Sequence, residues 1–279
     1  MTENVSLIDS IDQVINSADF NLPVFSDIAI KVRKMVSADD YNVQDVEKLI
    51  HSDQSLASEI LRVANSPFYA GLSNVATVRD AAVRLGANQL ADLVVLAAER
   101  NRYSAKNKEI DALMGKLWRH SVGVALAAQW LTKKLGYTVN INEVFLGGLI
   151  HDIGKLAALK AIDYIKAKEH INFPGELITQ IVDSVHTLQG YNLAHKWRLP
   201  ENYCAVIRDH HLEDIAPSNY MLLIVKVADS ACTKLGINLN PDASIELAVL
   251  PEAHSLGIGE VLLAELEIML EDTMEKLGE

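Results

Sequence analysis

Wherever the apolar residues of this chain are dense, they recur at intervals of three and four. Val43, Val46, Leu49 and Ile50 follow that interval, and so do Leu56, Ile60, Leu61 and Ala64. A helix turns once every ~3.6 residues, so this spacing lays apolar side chains along one face. A half-buried strand needs strict alternation instead, and no segment between turn signals alternates. Thr77 followed by Asp80 resembles a capping box with aspartate in the glutamate position, and Gly86 is placed to end that helix. Asn65, Ser66, Pro67 and Phe68 read as a helix end and turn. The spacing predicts an all-α fold.

With 279 residues the chain can form one large or two modest domains. The polar stretch ERNRYSAKNKEID, residues 99–111, separates a set of short N-terminal helices from a second set. A second break falls at LGINLNPDAS, residues 235–244. The expected division is an N-terminal helical part over 1–115, a second subdomain over 116–236 packed against it, and a tail over 237–279. That tail, VLLAELEIMLEDTMEKLGE, reads as an acidic amphipathic helix. Its polar face is rich in glutamate rather than lysine or arginine, which suits a packing or dimerising element and not a membrane surface.

The net charge of −12 argues against broad, salt-driven nucleic-acid binding. RLGANQLADLVVLAA has the outline of a helix-turn-helix fragment but no basic recognition helix. No apolar run approaches the ~20 residues that a membrane span needs, and MTENVSLIDSID lacks the basic and apolar regions of a signal peptide. A cytoplasmic protein is expected. Cys204 and Cys232 have no metal or redox spacing and read as buried thiols.

One segment carries chemistry. FLGGLIHDIGKLAAL, residues 145–159, follows a cap at Asn140 with Glu143 three residues on, and reads as a helix buried nearly all round. Apart from His151, Asp152 and Lys155, nothing in it titrates. A buried charge must be paired, neutralised or bound to a metal. A lone His-Asp pair is often a structural hydrogen bond, but this pair has company. His120 lies in WRHSVGVALAAQWL, His186 in VHTLQG, His210 and His211 in IRDHHLE, and Asp229 in IVKVADSAC. Imidazole and carboxylate donors suit iron, manganese, zinc or nickel, and with bound water also magnesium. Seven such groups exceed what one ion takes, which points to two divalent ions bridged by an aspartate. Two ions could activate water for attack on a phosphoryl group, with Lys155 directed at the phosphate or leaving oxygen. His51, His170, His195 and His254 match no ligand position and read as surface or capping residues.

The pattern H…HD…H…HH…D, with HDIGK spelled out, resembles the HD superfamily of metal-dependent phosphohydrolases. Its spacing is nearest the branch related to HD-GYP cyclic-dinucleotide phosphodiesterases. LPVFSDIAIKVRKMV, LIHSDQSLASEILRVANSPFY, TVRDAAVRLGANQLADLVV and WRLPENYCAVIRDHH closely resemble the HDOD (HD-related output domain) family of bacterial signalling proteins over residues 19–232. The resemblance implies a compact helical fold and a regulatory role with signalling protein partners. Many HDOD members lack the metal-ligand residues, whereas this chain keeps them. The HD metal positions fall on His120, His151, Asp152 and Asp229, and those added by the HD-GYP branch on His186, His210 and His211. Lys155 matches the lysine of HDxGK, and Lys155 with Asp152 is the expected catalytic pair. The GYP tripeptide is absent, because LEDIAPS follows His211, and Ser26 and Gln54 stand where the family often has proline. Two functions follow: a phosphohydrolase or phosphodiesterase acting on a nucleotide or other phosphoester, or a non-enzymatic interaction or nucleotide-binding module with a structural metal site. The C-terminal helix is the expected route to any oligomer.

Overall fold

The structure is a computed structural model that describes residues 6–17, 20, 22, 25–36, 42–51, 54–69, 71, 74–169 and 173–278. In chain order the first helices are α1 (Leu7–Asn16), α2 (Asp27–Val36), α3 (Val43–His51), α4 (Gln54–Ala64), α5 (Val78–Leu85) and α6 (Ala87–Glu99). They are followed by α7 (Lys108–Leu135), α8 (Ile141–Ile150), α9 (Ile153–Glu169), α10 (Gly175–Lys196) and α11 (Glu201–Asp209). The last are α12 (Tyr220–Lys234), α13 (Pro251–Ser255) and α14 (Glu260–Gly278). No strand occurs among the described residues, so the fold is all-α as the periodicity predicts. No described helix is long and apolar enough to cross a membrane.

The chain divides into two compact units, one of Met1–Val24 with Tyr103–Leu263 and one of Phe25–Arg102 with Ala264–Glu279. The larger is built on the 28-residue helix α7. The Asn107 side chain caps its start by accepting from the Glu109 and Ile110 amides, and Gly136, at φ 66°, ends it in the left-handed conformation. Val124, Leu126 and Leu131 on α7 are wholly buried, each such side chain stabilising the fold by roughly 1.5–3 kcal/mol. Helices α8 and α12 pack on α7, α9 pairs with α10, α11 lies against α10, and α1 lies against α9. A side chain at Gly148 would stand 3.0 Å from Ala125 Cα, so α8 approaches α7 closely only because that position is glycine. Cys204 and Cys232 are buried free thiols, as expected.

In the smaller unit α2, α4 and α5 pack against α6, whose residues from Leu90 to Ala97 are all buried. Asp92 is among them and pairs with Arg33 at 2.5 Å. The capping box at Thr77 and Asp80 is fully formed, and Gly86 closes α5 at φ 82°. The chain after Ala64 turns through a short 3-10 segment, Pro67–Tyr69. Leu266, Leu270 and Met274 of α14 are buried, and the Arg62 guanidinium of α4 donates to the Leu277 carbonyl.

One expectation is corrected. Residues 143–159 do not form a single helix: α8 ends at Ile150, His151 and Asp152 form a turn, and α9 begins at Ile153. The reason is local. His151 Nδ1 donates to the Gly148 carbonyl at 2.7 Å, and the next turn tightens, with the Lys155 amide donating to the Asp152 carbonyl three residues back at 2.8 Å. Lys155 accordingly pairs with Asp152 and not with His151.

Candidate metal centre

Every residue singled out for chemistry lies in the larger unit. His120 comes from the middle of α7, His151 and Asp152 from the turn between α8 and α9, and Lys155 from the first turn of α9. His186 is on α10, His210 caps the end of α11 with His211 after it, and Asp229 is on α12. Two glycines let these elements meet. A Cβ on Gly154 would lie 1.9 Å from the His186 carbonyl oxygen and 2.7 Å from the Gly190 amide nitrogen. One on Gly190 would lie 2.7 Å from Ile207 Cγ2, so α9, α10 and α11 touch backbone to backbone or nearly so where the ligand-type residues converge.

Asp152 sits at the middle. Its Oδ2 is 3.4 Å from both His120 Nε2 and His151 Nε2, and its Oδ1 is 3.5 Å from both His186 Nε2 and His210 Nε2. One carboxylate oxygen thus faces each pair of imidazoles. His120 Nε2 also lies 3.2 Å from Asp229 Oδ1, and His211 Nε2 lies 3.1 Å from His186 Nε2. His120, His151 and Asp229 therefore form one donor group and His186, His210 and His211 another, with His151, Asp152 and His210 joining them.

The hydrogen bonds set the tautomers. His120 Nδ1 donates to the Ile237 carbonyl, His151 Nδ1 to Gly148 and His186 Nδ1 to Asp183, each at 2.7 Å. His210 Nδ1 donates to the Val206 carbonyl at 3.0 Å. A carbonyl only accepts, so in the neutral rings the proton is on Nδ1 and the lone pair on Nε2. Lone pairs then face one another at 3.2 Å, both between His120 and His151 and between His186 and His210. Asp152 is almost fully buried, and neither of its oxygens accepts an aligned hydrogen bond; the Lys155 ammonium stands 2.9 Å from Oδ2 as an ion pair. Converging lone pairs around an unsatisfied carboxylate repel unless a cation lies between them. The donor set fits a divalent metal.

The electrostatics differ between the two halves of the donor set. Burial pushes the Asp152 carboxyl up, but Lys155, His151 and His120 more than offset this and hold it well below the usual carboxylate range. Asp229 is likewise held low, mainly by His120 acting against its burial. Burial lowers His120, yet the nearby Asp152 and Asp229 carboxylates bring it up to about 9, so near neutral pH its Nε2 carries a proton that a bound metal would have to displace. Burial carries His186 and His211 down to about 4, which keeps their rings neutral and able to ligate.

Sequence reasoning missed three supporting residues. Asp183, one turn before His186, supplies the carbonyl that orients His186, and its carboxylate lies 3.5 Å from Lys155 Nζ. Asn240 donates to the same carboxylate, and Ile237 orients His120 from a position 117 residues away in sequence. For Asp183 the three-residue spacing to His186 was an available signal; the other two lie in a loop with no local pattern. His195 and His254 are exposed and belong to none of the three donor groups, while His170 and the His51 side chain lie outside the described residues.

The chain is 24% identical over 214 residues to an uncharacterized protein of Treponema pallidum (strain Nichols), covering 75% of this chain and 41% of that one, so it spans well under half of that relative's length. Among solved structures, a Geobacter sulfurreducens HDOD domain protein of unknown function superposes with a TM-score of 0.74 at 23% identity, over 98% of this chain and 97% of the other. A Shewanella amazonensis SB2B protein provisionally named a metal-dependent phosphohydrolase superposes with a TM-score of 0.72 at 21% identity, over 96% and 97%. At these identities the two structures establish the shared helical fold. The HDOD domain family model matches residues 22–213, well over half of the sequence, and the chain belongs to the HDOD domain family.

Proposed function

We propose that this HDOD protein is a metal-dependent phosphohydrolase or phosphodiesterase serving bacterial signal transduction, with its reaction centre at Asp152. One observation carries the reading: a buried carboxylate with no aligned hydrogen-bond donor, flanked on both sides by imidazole nitrogens whose lone pairs point inward. Iron, manganese, zinc, nickel or magnesium bound there would supply Lewis acidity toward phosphoryl oxygens and a water nucleophile at neutral pH. His120, His151 and Asp229 would hold one ion and His186, His210 and His211 a second, with Asp152 offering an oxygen to each. Lys155 pairs with Asp152 at 2.9 Å, and its buried ammonium is placed to hold a phosphoryl or leaving oxygen. Asp183 keeps that ammonium oriented, and backbone carbonyls keep the Nε2 of His120, His151, His186 and His210 turned inward.

A second reading has its own support: the family model spans both units, and a simple hydrolase does not require the Phe25–Arg102 helices. On that reading the protein is a regulatory module that binds a partner or nucleotide over a structural metal. Elemental analysis of protein purified without chelator, followed by assays on phosphomonoesters, phosphodiesters and cyclic dinucleotides, separates the two. The hydrolase reading expects stoichiometric divalent metal, and turnover that Asp152→Asn and Lys155→Ala each reduce by at least ~100-fold. Metal-free protein, or loaded protein inert on the whole panel, would refute it.

A further inference from the structure

The two halves of the donor set differ in charge and in exposure. Resting on the metal reading of this site, we propose that the half formed by His120, His151 and Asp229 takes a divalent cation first. The half formed by His186, His210 and His211 then takes a second cation only together with a phosphate-type dianion. Metal occupancy is thereby coupled to the phosphoryl ligand.

Charge balance sets the order. Asp152 and Asp229 together carry the two negative charges that neutralise one divalent cation, and both lie within reach of His120 Nε2, at 3.4 and 3.2 Å. Lys155 and Asp183 oppose one another at 3.5 Å and add no net charge. A first cation beside Asp229 therefore leaves the pocket neutral. The other half offers only imidazoles, whose protein ligands are uncharged, plus the Oδ1 of the already shared Asp152. A second cation there leaves two positive charges in a pocket where His120, His151, His186 and His210 are at most 2% exposed. Burying uncompensated charge of that size is strongly unfavourable.

Exposure sets the direction of entry. His120 and His151 are buried and the Asp229 side chain is 15% exposed, whereas His211, at the edge of the second half, is exposed outright. An anion arriving from solvent meets that half first. A phosphate dianion brings the two negative charges that neutralise the second cation, which no side chain of that half supplies. By linkage, whatever factor phosphate contributes to the second cation's affinity, that cation contributes equally to phosphate's.

The test is equilibrium dialysis of chelator-stripped full-length protein against Mn2+, with bound metal read by elemental analysis, in the presence and absence of inorganic phosphate. The expected result is two classes of position. Phosphate should strengthen the weaker by about tenfold or more and leave the tighter unchanged. His211→Ala should remove the phosphate-sensitive class alone, and Asp229→Asn should weaken the tight one. A single ion per chain, two equal classes, or a second class indifferent to phosphate would overturn the proposal. Phosphate-linked filling without hydrolysis of any ester supports it even though the hydrolase reading then fails. Turnover with two equal, phosphate-blind positions overturns it while that reading stands.

Discussion

Gly154→Ala tests whether close backbone packing builds the donor cluster. The added Cβ would lie 1.9 Å from the His186 carbonyl oxygen, whereas a carbon and a carbonyl oxygen rest no closer than about 3.3 Å. The obstacle is backbone within α10, so no side-chain rotation relieves it, and α9 and α10 must part by roughly 1.4 Å. Helix propensity pulls the other way, since alanine is favoured over glycine by up to ~1 kcal/mol in a helix. Overpacking of a tight interior costs about 1–3 kcal/mol, which outweighs that gain. Metal ligation tolerates only about 0.2 Å, so a shift of this size also takes His186 out of range of its partners. Gly115, on α7, is the control, because a Cβ there meets nothing within 4 Å. The expected outcome of thermal unfolding and metal analysis is opposite signs for one substitution. Gly115→Ala should be neutral or stabilised with full metal, and Gly154→Ala destabilised with metal lost. A Gly154→Ala protein with parental midpoint and metal content would refute the reasoning.

Two further outcomes are expected. In chelator-stripped protein, His120 titrates at about 9 against an ordinary 6.5, so its stabilisation is full below 6.5 and lost as pH rises through 9. His186 and His211 titrate at about 4, so below 6.5 the unfolded chain takes up protons that the fold refuses. The unfolding midpoint of the metal-free protein should therefore peak near pH 6.5 and fall toward both 4 and 9; a profile flat over that range contradicts the assignment. In the smaller unit, Thr77→Ala removes an N-cap with both capping-box bonds in place and should lower stability by ~1 kcal/mol in denaturant unfolding, while leaving metal content unchanged.

The sequence by itself determined the helical class, because the three-and-four spacing of apolar residues is a local property that any burial of those faces must respect. It also determined local stops such as the Thr77–Asp80 box and the turn at Gly86, whose bonds span a few residues. The identities of the candidate donors were legible too, as imidazoles and carboxylates set in apolar segments. Tertiary structure alone decided the rest. The HDIGK segment looks continuous in hydropathy, but the His151 side chain takes a backbone carbonyl and the helix breaks at the dipeptide that matters most. Lone-pair direction on His120 depends on the Ile237 carbonyl, and the placement of Lys155 on Asp183, which Asn240 also holds. Those partners are backbone atoms and loop residues brought together by packing, and a carbonyl has no residue type to read. Periodicity reports which face of a helix is buried; only the packed helices decide which atoms, across a hundred residues, look at each other.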